Sequence, residues 1–116
     1  MATVNYKVVE GTMLTTSEAT LYTAPSTVLM SIVRLIDAVN TDTLTARSFT
    51  LWKLPASGSS SSSSIIRSAS TGNTVAAGKT EQQDTAIFVA PSGTITGKAD
   101  TANTVTIHMS IIEVSS

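Results

Sequence analysis

Cysteine is absent from the 116 residues. That removes disulfides, thiolate metal ligands and cysteine nucleophiles. Histidine occurs once, at His108, so any imidazole chemistry or histidine-based metal site would have to use that ring. Charge is scarce: 13% of residues are Asp, Glu, Lys or Arg, about half the usual share. The net charge of -1 leaves no basic footprint for nucleic acid or an anionic membrane. Aromatic residues number five, Tyr6, Tyr22, Phe49, Trp52 and Phe88, a thin supply for a sugar-stacking platform. No apolar run approaches the ~20 residues of a membrane-spanning helix. Met1-Ala2-Thr3-Val4-Asn5 has neither a basic n-region nor an apolar h-region. No secretory signal is expected there, and synthesis in a cytoplasm is.

What is present is hydroxyl and β-branched chemistry. The sequence holds 20 Thr and 17 Ser; Thr favours strands and Ser favours turns. A chain of this length forms one domain, 1–116, and buries roughly two-thirds of its unfolded surface. Few charges and many β-branched residues suit a chain covered by neighbours better than a free monomer, which relies on dispersed charge for solubility.

One pattern occurs twice. Leu21-Tyr22-Thr23-Ala24-Pro25-Ser26-Thr27-Val28 returns as Ile87-Phe88-Val89-Ala90-Pro91-Ser92-Gly93-Thr94-Ile95. Proline fixes φ and has no N–H to donate, so it marks a strand end or corner. The copies predict two strand–corner–strand units of an antiparallel β-sandwich, jelly-roll-like or Greek-key.

Turn clusters at short intervals support an all-β chain. The pattern predicts strands over 6–9, ended by Gly11, and over 19–23. Val28 to Val39 is the most apolar stretch, with Val28, Met30, Ile32 and Ile36 on one face and Leu29, Val33, Leu35 and Val39 on the other. A strand apolar on both faces needs a cover on each; a helix over 29–38 is the alternative that periodicity leaves open. Asn40-Thr41-Asp42 reads as a turn. A strand over 46–54 places Phe49 and Leu51 opposite Thr50 and Trp52. The tract 57–64 cannot bury apolar area and is expected to be a flexible hairpin loop. Strands are expected over 65–68, 80–89 and 94–99, with turns at Thr71-Gly72-Asn73 and at Asp100-Thr101-Ala102-Asn103. In the last strand Val105, Ile107, Met109 and Ile111 alternate with Thr104, Thr106, His108 and Ser110, one face to the core and one away.

No catalytic site emerges. His108 sits on the polar face of a regular strand, without a Gly-x-Ser-x-Gly elbow or an evident orienting acid. The eight acidic residues are scattered, and Asp100 to Asn103 is explained by turn chemistry more simply than by a calcium loop. Gly72, Gly78, Gly93 and Gly97 form no phosphate loop. Arg34, Arg47 and Arg67 are isolated. No enzyme activity, cofactor or metal is expected. Trp52 and Tyr22 are the residues that a glycan-binding module would use, if exposed together at one end.

Thr20-Leu21-Tyr22-Thr23-Ala24-Pro25, then Val28 to Ile36 and a turn at Asn40, resembles the opening of small β-sandwich proteins of tailed bacteriophages. Residues 87–95 and 99–113 are similar to that family's later corner and terminal strand, so the resemblance covers residue 17 onward. Here the tract 59–64 replaces a less biased loop. The resemblance implies a virion component on the capsid surface, a decoration or cement subunit that binds the major capsid protein. It implies a homo-oligomer, often a trimer, without catalysis, and it transfers no functional residues. The expected contacts are an N-terminal arm or edge strand within 1–12 (Val4, Tyr6, Val8), the doubly apolar strand (Val28, Met30, Ile32) and Trp52. The alternative is a head-fibre, neck or tail adhesion module that binds a host glycan through Trp52 and Tyr22. Nucleic acid and membrane are not expected partners.

Overall fold

The computed structural model describes residues 2–69, 74–84 and 86–116, with side chains left aside at 67–69. The expected turn at 71–73 lies outside them. The described residues form nine strands and one 3-10 turn. The strands are β1 Thr3–Met13, β2 Ala19–Thr23, β3 Met30–Asn40, β4 Phe49–Leu54, β5 Ile65–Ala69, β6 Thr80–Gln83, β7 Ile87–Val89, β8 Thr94–Ala99 and β9 Val105–Ser115.

Two antiparallel sheets face each other. One has the order β1-β9-β3-β6, with β7 also on β3; the other has the order β2-β8-β4-β5. Because β6 and β7 share one flank of β3, nine strands fill eight positions. This order is that of a jelly roll, two interleaved Greek keys. The core between the sheets holds Val33, Leu51, Val89, Ile95, Val105 and Ile107 at 0% exposure. Val105, Ile107, Met109 and Ile111 all face it, as their alternation predicts.

Both Ala-Pro-Ser corners lie at one end, bonded to each other. Ala24 N–H donates to the Gly93 carbonyl at 2.9 Å, and Ser92 N–H donates to the Ala24 carbonyl at 3.0 Å. Their turns differ. Gly93 N–H closes on the Ala90 carbonyl at 2.9 Å, with Ser92 at φ 62, a turn with Pro at its second position and a left-handed third. In the first copy the closure slips one residue, from Val28 N–H to the Pro25 carbonyl at 3.4 Å.

Several expectations need correction, each for a local reason. β1 runs past Gly11, which takes φ 58 in a bulge where the register on β9 shifts between Val9 and Thr12; a positive-φ glycine serves a bulge as readily as a strand end. The stretch 28–39 is a strand from Met30 on, not a helix, and its faces are not as expected. The register on β9 shifts between Val33 and Leu35, so the strand changes phase at Arg34. Ser31 and Val33 point inward, then Ile36, Ala38 and Asn40 do. Ile32 and Ile36 therefore lie on opposite faces. The strand expected over 46–54 starts at Phe49, because Arg47 pairs with Val75 instead. The strand expected over 80–89 is two pieces, β6 and β7, flanking the same phase change in β3.

The serine tract links β4 to β5. Ser62–Ser64 make the 3-10 turn, closed by its own hydroxyls: Ser61 N–H donates to Ser64 Oγ, and Ser64 Oγ–H to the Ser61 carbonyl, both at 3.0 Å. Ser60 donates to Glu18 at 2.5 Å and Thr96 donates to the other Glu18 oxygen at 2.7 Å. These bonds hold the Glu18 carboxyl below its ordinary pKa and tie the tract to β8.

Candidate functional site

The outward face of the β1-β9-β3-β7 sheet is apolar across four strands. The register fixes three rungs. Val4 aligns with Val114 and Met30; Tyr6 with Ile112, Ile32 and Phe88; Val8 with Ser110 and Leu35. Tyr6 is 81% exposed, Val8 57%, Phe88 52% and Val4 50%, while Met30, Ile32, Leu35, Ile112 and Val114 are half-buried. Beside Tyr6 and Val8, a shallow groove of about 280 Å³ runs over Ser110 and Ile112 to Arg34. Scattered exposed hydrophobics need no explanation, but contiguous apolar surface marks a contact site.

The face exists because of two phase decisions. β9 puts its odd residues into the core, which turns Ile112 and Val114 outward. The Arg34 bulge lets Met30, Ile32 and Leu35 share the outward side despite their mixed parity. β1 then adds Val4, Tyr6 and Val8 at the sheet's edge, where no strand other than β9 pairs with it among the described residues.

Five of the seven expected contact residues meet on this face: Val4, Tyr6, Val8, Met30 and Ile32. The other two do not. Val28 is buried at the first corner. Trp52 lies on the opposite sheet at 9% exposure, with Lys98 Nζ 5.9 Å from its ring centroid. Phe88, Ile112 and Val114 were not expected. Their signal was parity: Phe88 stands between two core residues, and Ile112 follows one. Leu35 belongs to the strand expected at an interface, but the Arg34 bulge sets its side.

Tyr22 and Trp52 do not form an exposed aromatic pair. Tyr22 is 4% exposed, its hydroxyl turned inward to Glu113. The geometry on which a glycan platform depends is therefore not met. His108 is a structural acceptor: Gly11 N–H donates to its Nδ1 at 3.1 Å, which holds the β1 bulge on β9. Asp42 accepts the N–H groups of Leu44 and Thr45 and pairs with Arg47 at 2.6 Å. Those donors, Leu44 first, keep its carboxyl below the usual pKa. Arg47 reaches on to Thr101 at 2.8 Å and to Asp100 at 4.0 Å. These acids organise turns, and among the described residues no three His, Cys, Asp or Glu side chains converge as metal ligands.

No family model matches the chain, and no curated protein does. Solved structures match its fold. One, of Bacillus endospore appendages described as disulfide-linked pili, aligns at TM-score 0.57 and 13% identity, over 99% of this chain and 88% of that one. Another, of the T13 viral particle of infectious bursal disease virus, aligns at TM-score 0.58 and 9% identity. It covers 98% of this chain and 31% of the viral one, so this chain spans about a third of that protein. At such identities the likeness is one of fold.

Proposed function

We propose that this chain is a structural subunit without enzyme activity, a decoration or cement protein on the head of a tailed bacteriophage. The three-rung apolar face carries the reading. A sheet face with Tyr6, Phe88, Val4 and Val8 in water costs solubility in a chain with 13% charge, and contact with another subunit offsets that cost. The sequence resemblance to phage β-sandwich proteins supplies the particle and the partner, its major capsid protein. The fold likenesses are compatible with it, since they concern pili and a viral particle. The mechanism is adhesive: subunits bridge joints in the shell and add contact area, with no side chain acting as a catalyst.

The test is binding to undecorated phage heads, imaged by electron microscopy. The expected result is added density on the outer head surface, lost in a Tyr6→Asp/Phe88→Asp double variant that unfolds in urea like the parent. Density confined to the neck or tail, or none at all, would reject the capsid assignment.

A further inference from the structure

The edge of β1 is self-complementary. The register of β1 on β9 is unbroken from Thr3 to Val9 and is then interrupted by the Gly11 bulge. A bulge ends an edge that another strand can use, so the usable edge is Thr3–Val9, and its midpoint is Tyr6. The sheet's opposite edge differs. Two short strands share that edge, the polar Thr80-Glu81-Gln82-Gln83 of β6 and the three-residue β7, and short edge strands are protected ones. β1 exposes Val4, Tyr6 and Val8 on one side and has no proline.

We infer that β1 pairs antiparallel with β1 of a second copy of this chain, about a two-fold axis through Tyr6. Antiparallel pairing about a two-fold axis matches residues whose numbers add to a constant. A sum of 12 sets Val4 against Val8, Tyr6 against Tyr6 and Val8 against Val4, all on the outward face, and uses the whole segment from 3 to 9. A sum of 14 sets Lys7 against Lys7, which like-charge repulsion disfavours, and Val4 against Glu10. A sum of 10 leaves Val8 opposite Ala2. Odd sums put Tyr6 on the face opposite its partner. The chosen register also satisfies the backbone. Even residues pair with even and odd with odd, so whichever set turns its N–H and C=O away from β9 finds a matching set. The two sheets become one, and their apolar rungs join across the axis. A two-fold contact of this kind is isologous, the commonest symmetry of homo-oligomers.

The inference rests on the assembly reading above and refines it. It gives dimers or even-numbered assemblies in place of the trimer that the family resemblance implies. Because the sequence has no cysteine, single introduced thiols report the register directly. Paired Cα atoms in an antiparallel ladder lie about 4.5 or 5.5 Å apart, within the disulfide range of about 4.4–6.8 Å. Dilute protein is treated with oxidised glutathione, with Lys53→Cys on the other sheet as control. Tyr6→Cys is expected to convert most chains to a covalent dimer. Val4→Cys and Val8→Cys are each expected to cross-link poorly alone and well when mixed. Tyr6→Cys cross-linking no faster than Lys53→Cys, or Val8→Cys cross-linking alone as well as Tyr6→Cys does, overturns the inference. So does a trimer by mass photometry of the unmodified protein, which leaves the assembly reading standing. Unmodified protein that is dimeric by mass photometry and fails to bind heads does the reverse.

Discussion

Tyr22 and Glu113 meet across the sandwich. The phenol donates to Glu113 Oε2 at 2.5 Å, joining β2 of one sheet to β9 of the other. The Ser31 hydroxyl lies 2.9 Å from the same phenol oxygen. All three residues are buried, so the carboxylate sits at the core margin with its main donor supplied by a tyrosine 91 positions away.

That pairing makes folding sensitive to alkali. Burial first, and then the neighbouring Glu113 carboxylate, push the Tyr22 hydroxyl up to about 12 from its ordinary 10. The unfolded chain releases the proton first, so stability is full below pH 10 and falls as pH rises to about 12. Urea unfolding at pH 8 and pH 11.5 is expected to show the loss in the parent and a much smaller one in Tyr22→Phe. At pH 8, Tyr22→Phe is itself expected to cost about 1–3 kcal/mol, because it strips a buried carboxylate of its donor.

Asn40 closes the far end of β3. Fully buried, its amide donates to the Thr45 and Val75 carbonyls at 2.9 and 3.0 Å, and its Oδ1 accepts the Asp42 N–H at 2.9 Å. Asn40→Asp replaces the donated bonds, which include a longer one to the Ala76 carbonyl at 3.3 Å, with a carboxylate facing carbonyl oxygens. It is expected to be worse than Asn40→Ala, which leaves orphaned groups costing about 1–3 kcal/mol. Thermal unfolding of the two variants decides; an Asp variant as stable as the parent would contradict the network.

Within β9, burial separates the two faces. Ile107 is fully buried and Ser110 is exposed. Ile107→Ala is expected to cost about 2–5 kcal/mol and Ser110→Ala less than about 0.5. Equal effects in urea would mean that the core lies elsewhere.

β9 was legible because its alternation is unbroken over the core, and the strand type of β2 and β8 followed from the corners beside them. The phase of β3 was not. A one-residue bulge at Arg34 reverses which side faces inward, and nothing local marks it, since residues on both sides are apolar. The outward apolar face was legible in its parts, Val4, Tyr6, Val8, Met30 and Ile32, but not as a surface, because only the β1-β9-β3 order brings those segments together. Trp52 lies apart from that face, on the other sheet. A large aromatic on the side opposite Phe49 reads as available, but the structure leaves it 9% exposed with Lys98 over its ring.

The mutual bonding of the two corners gives the last prediction. Gly93 receives the Ala24 N–H on its carbonyl. A Cβ at position 93 would stand 2.8 Å from the Leu54 carbonyl oxygen and 2.9 Å from that of Ala90. Both obstacles are backbone, so relief requires moving the β4 end or the turn itself. Gly93→Ala is therefore expected to cost about 1–3 kcal/mol, the range for overpacking, and to loosen the other corner with it. Ser92→Gly tests the neighbouring position with the opposite sign. Its φ of 62 is left-handed, where glycine meets no Cβ penalty, so this change should be neutral or stabilising. Hydrogen exchange at Ala24 reads the coupling: faster exchange there in Gly93→Ala supports it. Unchanged exchange with lowered stability would mean that the corners hold independently.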